Sequence, residues 1–346
     1  MPQDRNDLRN GLFIAGAATL GAFLAYRAFR SSTDFADQVV MITGGSRGLG
    51  LAVAERFRAL GARLILLARD TNELRQARNH LYARVPEGSD ISTYACDVSD
   101  WEQVQKVIET ATWQAGRIDV LVNVAGIIQV GPVEAQTHKD FEEAMNVNFW
   151  GVVNTTLAVL PQMIQREAGR IVNITSIGGK MAVPHLLPYT CSKFAAVGFS
   201  LGLRSEVAQR GIKVTTVVPG LMRTGSFLNA DFKGDQESEY SWFSVSSSLP
   251  GLTISAEKAA RQIVDATAAG TAEIVLGAPA KLAANLSSTF PGITSDILAF
   301  VNRALPESQE RGKKKGRESR TQVSESVLTK LGRDAADEYN QHAKAS

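Results

Sequence analysis

Between residues 38 and 280 the chain alternates short apolar runs with longer stretches in which apolar residues return every three or four positions. The runs read VVMIT, RLILLA, STYAC, IDVLVNVAG, GRIVNITS, IKVTTVVPG and AEIVLGA. Most are rich in β-branched residues and leucine, the pattern of strands covered on both faces. The stretches between them, such as LAVAERFRAL and the polar run from Thr71 to Arg84, have helical spacing. Strand and helix taking turns in this way predict about seven parallel strands in a doubly wound α/β sheet, with helices on both faces. No repeat of solenoid length interrupts the pattern, so residues 35–300 read as one domain.

The two ends break the pattern differently. Gly11 to Tyr26 reads GLFIAGAATLGAFLAY without a charge, with Arg5 and Arg9 before it and Arg27 and Arg30 after it. Sixteen helical residues rise about 24 Å, short of a hydrocarbon core of roughly 30 Å. Ala28-Phe29 lengthen the stretch and Arg27 can reach the interface. Residues 1–34 therefore read as a membrane anchor, the rivals being a cleaved secretory signal and a buried core helix. At the other end, KLAANLSSTFPGITSDILAFVNRAL carries apolar residues at helical spacing, suited to a membrane or a partner subunit. Residues 301–346 form a polar tail with Lys313, Lys314, Lys315 and Arg317 clustered and a short helix near Val327 to Tyr339. Such a tail is expected to be solvated and mobile, with contact to anionic headgroups the alternative.

Composition narrows the chemistry. The chain has 346 residues, 44% of them hydrophobic, enough for a large core. Its net charge of +2, from 37 basic and 35 acidic residues, offers no field for nucleic acid. Cys96 and Cys191 lack a C-x-x-C neighbour, and His80, His138, His185 and His342 are scattered. Neither a disulfide framework nor a metal site is proposed.

After the first predicted strand comes Thr43-Gly44-Gly45-Ser46-Arg47-Gly48-Leu49-Gly50, followed directly by a helix. Glycines there let a turn tighten and a pyrophosphate approach unpaired N–H groups at a helix N-terminus, the context of a Rossmann-type dinucleotide site. The second strand ends in Ala68-Arg69, where NAD-preferring domains carry an acid for the ribose 2′-hydroxyl. Arg69 and Arg47 can instead offer guanidinium groups to a 2′-phosphate. NADP(H) is favoured, and the nearby Asp70 keeps NAD(H) open.

Tyr189-Thr190-Cys191-Ser192-Lys193 opens a helical stretch, placing the tyrosine and lysine at i and i+4 on one face. A neighbouring ammonium favours an ionised phenol and is expected to lower the tyrosine pKa, making it a usable acid/base. Ser176 ends a strand at the carboxyl edge, where its hydroxyl can hold a substrate oxygen.

In this order, T-G-x-x-x-G-x-G, Asn123-Val124-Ala125-Gly126, Ser176, Y-x-x-x-K and Pro219-Gly220 resemble the short-chain dehydrogenase/reductase family over roughly residues 38 to 280. The resemblance implies that Ser176 polarises a carbonyl, Tyr189 exchanges the proton, and Lys193 lowers the tyrosine pKa and bonds the nicotinamide ribose. Asn148 in MNVNFWG matches the family's asparagine that holds a relay water, with Asn146 as competitor. Gly44, Ser46, Arg47, Gly48, Leu49 and Gly50 would hold the cofactor. Asp97-Val98 match the pair at adenine, and Asn123, Ala125 and Gly126 the N-N-A-G element, with Val124 departing from it. Pro219, Gly220 and Thr224 match the segment that closes over the nicotinamide amide.

The implied reaction is hydride transfer between NADP(H) and a carbonyl or secondary alcohol, with reduction favoured. The rivals are the oxidative direction, a non-catalytic membrane-tethered scaffold, and a sugar-nucleotide epimerase, for which the C-terminal part is short. Between Thr224 and Ser255, Phe227, Leu228, Phe232, Tyr240, Trp242 and Phe243 suggest a lid over an apolar small molecule, or rings that pack on the domain. His185 reads as structural or exposed. Supply of a phosphorylated dinucleotide places the catalytic part of a membrane-associated protein on the cytosolic side. A homo-oligomer fits the family, though no residue specifies one.

Overall fold

The computed structural model describes residues 35–87, 90–308 and 310–342. The strands are β1 (Val39–Thr43), β2 (Arg63–Ala68), β3 (Ile91–Ala95), β4 (Val120–Asn123), β5 (Gly169–Ile174), β6 (Ile212–Pro219) and β7 (Glu273–Leu276). They form one sheet in the order β7-β6-β5-β4-β1-β2-β3. Every pairing is parallel, with Val40 of β1 beside Leu64 and Val120. The seven apolar runs are the seven strands.

The helices are α1 (Gly48–Arg58), α2 (Thr71–Arg84), α3 (Trp101–Ala115), α4 (His138–Met145), α5 (Gly151–Gln165) and α6 (Leu187–Val207). After them come α7 (Gln236–Ser246), α8 (Ala256–Ala269), α9 (Ala278–Thr289), α10 (Pro291–Asn302) and α11 (Lys330–Glu338). Successive residues of a strand point to opposite faces, so β1 feeds two cores. Val40 and Ile42 join Leu51 and Phe57 of α1, Leu74 of α2 and Ile263 of α8. Val39 and Met41 join Val104 and Ile108 of α3, Met163 of α5 and Leu203 of α6. Phe57 is fully buried and meets Phe35 edge-on; truncating such a ring to alanine costs about 3–5 kcal/mol. Asp70 and Asp100 cap α2 and α3 with their carboxylates, fixing where each helix begins after its strand.

Because the chain runs from β1 outward to β3 and then crosses back to β4, the loops after β1 and β4 diverge. They leave a crevice at the carboxyl ends of these strands, where open α/β sheets take ligands.

The C-terminal part departs from the expected solvated tail. From Phe35 onward the chain is one compact unit, and residues 310–342 pack back on it. Lys314–Lys315 pair antiparallel with Asp231–Phe232, which pair in turn with Gln129–Val130. Three of the four basic residues of the cluster are held by partners: Lys313 bridges Glu143 at 2.7 Å, Lys315 bridges Asp231 at 2.7 Å, and Arg317 bonds Asn229. Polar composition suggested solvation, but most of this polarity is spent on specific partners while Ala335, Ala336 and Tyr339 are buried.

The apolar stretch from Gly11 to Phe29 lies outside the described residues. Among those described, no helix is long and apolar enough to cross a membrane. The next most apolar part, α9 with α10, is a hairpin on the surface: α9 buries only Ala280 and α10 buries no residue.

Candidate active site

The crevice is built from several chain segments. The first is the turn after β1, where Gly44 has φ of +65° and a Cβ there would lie 2.9 Å from the backbone of Ala125. A Cβ on Gly50 would lie 2.1 Å from the Gly44 carbonyl oxygen. No side chain fits at either position, so the turn folds on itself and presents backbone, the cradle a pyrophosphate requires. Thr43 holds the second segment, accepting from the amides of Val124 and Ala125 at 3.1 and 3.2 Å. Gly126 then comes close to both Asn148 and Lys193, since a Cβ there would stand 2.9 Å from Asn148 Oδ1 and 3.6 Å from Lys193 Nζ.

Asn148 lies in a π-helical turn, Asn146–Trp150, between α4 and α5. The wide turn aims its side chain inward, where it accepts from the Ile127 amide at 2.9 Å and donates to the Ile127 carbonyl at 3.1 Å. It also donates to Ser192 Oγ at 3.0 Å, and Ser192 donates to the Tyr189 carbonyl at 2.7 Å. Asn146 is exposed, so Asn148 is the asparagine of the site. Ser192 was missed in the sequence, although its place between Tyr189 and Lys193 was a usable signal.

Ser176 follows β5 and accepts from the Gly178 amide at 3.0 Å, which fixes its hydroxyl beside the Tyr189 ring. Tyr189 and Lys193 share a face of α6, with the lysine Nζ 5.7 Å from the tyrosine ring centroid. Lys193 Nζ donates to the Ile174 carbonyl at 3.1 Å. Ser176, Tyr189, Lys193 and Asn148 thus converge on one end of the crevice.

Their electrostatics differ from the sequence expectation. Burial holds the Lys193 ammonium down to about 8 from 10.5. Burial also pushes the Tyr189 phenol above its ordinary value, with Ser176 pulling the other way. Burial, not the neighbouring lysine, decides the direction for the tyrosine, because both groups are enclosed and desolvation penalises each charged form.

At the other end, beside the β2 terminus, Ser46 Oγ donates to Glu73 at 2.9 Å and Arg47 pairs with the same carboxylate at 2.6 Å. Burial lowers the Arg47 guanidinium, with Glu73 opposing and Arg317 adding to the fall. Arg69 is exposed and stands 3.8 Å from Asp97. The Asp70 carboxylate accepts from the amides of Asn72 and Glu73, so it serves as the α2 cap. Val98 packs against Gly151 beside this end. Buried Glu73 carried no signal in the sequence, being one more acid in a polar helix.

One further position departs from its expected role. Asn123 is turned inward, where Thr155, Thr156 and Asn173 take its side chain; it ties β4 to β5 and to α5 rather than facing the crevice. His185, read as structural or exposed, is the former: it is buried at φ of +62° with Nδ1 2.6 Å from Glu239. Glu239 also accepts from Trp242 at 2.6 Å. Pro219, Gly220 and Thr224 close the far wall, with Gly220 so near Ala280 that a Cβ would stand 2.6 Å from that methyl. Behind this wall Phe227, Leu228, Phe232, Tyr240 and Phe243 form a small core of their own, packed against Tyr189. The segment 224–255 is folded structure rather than an open flap.

Residues 38–232 match the model of the short chain dehydrogenases. A dehydrogenase/reductase SDR family protein 7-like of Anopheles gambiae is 39% identical over 204 residues, 58% of this chain and 64% of that protein. The chain therefore spans less than two thirds of that relative. The oxidoreductase SadH of Mycobacterium tuberculosis is 36% identical over 253 residues, 72% of this chain and 89% of that protein. A metagenomic short-chain oxidoreductase solved in complex with NADP superposes with a TM-score of 0.58 at 27% identity, covering 71% of this chain and 99% of that one.

Proposed function

This chain belongs to the short-chain dehydrogenase/reductase family of oxidoreductases, and we propose that it uses NADPH to reduce the carbonyl of an apolar small molecule. The observation that carries the reading is the convergence of Ser176, Tyr189, Lys193 and Asn148 beside a glycine cradle in which side chains do not fit. A bound dinucleotide would supply the hydride. Ser176 Oγ holds the substrate oxygen, and the Tyr189 hydroxyl delivers a proton to that oxygen as the carbonyl carbon accepts the hydride. A phenol held above its ordinary value stays protonated, which suits a proton donor. Lys193 and Asn148 fix the floor of the site through Ile174, Ile127 and Ser192.

NADP over NAD is supported by Arg69 at the end of β2 and by the use of Asp70 as a helix cap, which withdraws it from a ribose hydroxyl. Arg47, Gly44 and Gly48 would complete the cofactor contacts.

A lipid bilayer is the proposed partner, with the catalytic part on the cytosolic side. Helices α9 and α10 expose Leu282, Phe290, Ile293, Ile297 and Phe300, an apolar hairpin with almost nothing buried beneath it. The charge-free run at Gly11–Tyr26 is a second apolar element, and stable attachment ordinarily takes two. The hairpin packs on Gly220 through Ala280, and Ser287 donates to the Lys180 carbonyl at 3.1 Å, so it borders the catalytic end. A bilayer there would offer apolar substrates directly to the crevice.

The test is NADPH oxidation by the purified protein against apolar ketones and aldehydes, beside Tyr189→Phe. Turnover that vanishes in this variant, with its fold retained, is the expected result. Undiminished turnover in Tyr189→Phe would overturn the assignment.

A further inference from the structure

The amide that opens α1 is already occupied. Gly48 N–H donates to the Tyr339 carbonyl at 2.8 Å, and Asn340 Nδ2 donates to the Ser46 carbonyl at 3.0 Å. Gln341 follows, its carboxamide nitrogen only 2.5 Å from the point where a Cβ on Gly48 would stand, with Thr224 Cβ 4.0 Å from that same point. Asn229 clamps Gln341, donating to its side-chain oxygen at 2.6 Å and to its carbonyl at 3.0 Å. The segment comes from α11, which lies flush on the wall after Thr224: Gly225 faces Ala336 and Gly332 faces Phe227, each too close for a side chain. The C-terminal residues are thus laid between the glycine cradle and Thr224.

A dinucleotide's pyrophosphate binds where α1 starts, because that is where helix N–H groups and the helix dipole favour an anion. A peptide carbonyl and a phosphate oxygen cannot both occupy the Gly48 N–H, and the Gln341 carboxamide fills space over the same glycine. We infer that residues 330–341 are a self-supplied plug of the cofactor crevice, with the Tyr339 carbonyl standing in for a phosphate oxygen, and that the dinucleotide binds only as this segment withdraws. The inference rests on the dinucleotide reading of the site. The segment is built to leave. Its apolar anchors are Ala335, Ala336 and Tyr339, its ion pair from Glu338 to Arg84 is exposed, and its remaining holds are hydrogen bonds at Ser46, Gly48, Glu73 and Asn229, with Arg333 bonded to Ser324, Ser326 and Thr329 just before the segment. Segments with few buried contacts open locally at small cost. Asn340, at φ of +58°, makes the bend that brings Gln341 over the cradle.

A plug lowers apparent affinity by the fraction of molecules that are open. The double variant Asn340→Ala/Gln341→Ala in the full-length protein removes the side-chain holds on Ser46 and Asn229 and leaves the catalytic set alone. Its apparent Kd for NADP+, measured by calorimetry without substrate, is expected to fall about tenfold. Hydrogen exchange on the unaltered protein gives an independent readout, since the amides of Tyr339 and Gln341 are bonded to the carbonyls of Ala335 and Ala336. Saturating NADP+ should speed their exchange. An unchanged or weaker Kd in the variant, or amides that stay protected on binding, overturns the plug while leaving the cofactor reading intact. Failure of NADP+ and NAD+ to bind either protein overturns both.

Discussion

Replacing Lys193 by methionine should stabilise this protein while abolishing its activity, and the gain should depend on pH in a defined direction. The lysine is enclosed, and burial alone lowers it from 10.5 to about 8. At about 1.4 kcal/mol per pH unit, that fall corresponds to a cost of about 3 kcal/mol for keeping the ammonium in the folded state. Methionine fills similar space without charge, but leaves the Ile174 carbonyl without its donor, which costs about 1 kcal/mol. A net gain of about 2 kcal/mol is expected at pH 7. Between about pH 8 and 10.5 the unfolded lysine keeps its proton while the folded one does not, so wild-type stability rises with pH across that window. Below pH 8 both states are protonated and the full cost is present. The advantage of Lys193→Met should therefore be largest at pH 7 and disappear by about pH 10. Urea unfolding of both proteins at pH 7, 8.5 and 10 measures it. Equal stability at pH 7, or a gap of the same size at all three values, would refute the reasoning, the second by assigning the effect to packing.

Two further outcomes follow from charge and exposure. Arg69→Asp should reverse the preference between NADPH and NADH in kcat/KM, through repulsion of a 2′-phosphate and a new acceptor for a 2′-hydroxyl; unchanged selectivity would refute the role given to Arg69. Phe290→Asp with Ile297→Asp, both exposed, should leave thermal stability within about 0.5 kcal/mol of wild type. The same pair should reduce sedimentation of the protein with phosphatidylcholine vesicles; undiminished sedimentation would remove the hairpin from the membrane contact.

The sheet was legible because its strands are covered on both faces: Val39 through Thr43 must all be apolar or hydrogen-bonded, and no other element leaves so dense a run. The catalytic set was legible for a different reason. Tyr189 and Lys193 are joined by one helical turn, and Ser176 and Gly44 each mark a strand's end, so local spacing carries the geometry. What local spacing cannot carry is the environment. The fall of Lys193 and the rise of Tyr189 come from enclosure by residues distant in sequence, and enclosure reversed the direction expected for the phenol from its neighbour alone.

The same limit explains the C-terminal segment. Lys313, Lys315 and Arg317 look like a solvated cluster until Glu143, Asp231 and Asn229 are brought opposite them, 170, 84 and 88 residues earlier. Polar residues are read as surface because water is their default partner, yet a carboxylate or carboxamide from a remote strand replaces water without changing the local pattern. Asn340 and Gln341 are the sharpest instance. Nothing in YNQH distinguishes two amides in a polar tail from two that reach the Ser46 carbonyl and lie over Gly48. The glycine at position 48 makes both uses of that spot available, because the space a side chain would fill is open to a phosphate and equally to the chain's own end. A family motif therefore locates the cradle, while what the rest of the chain places in it is decided by contacts that span nearly the whole sequence.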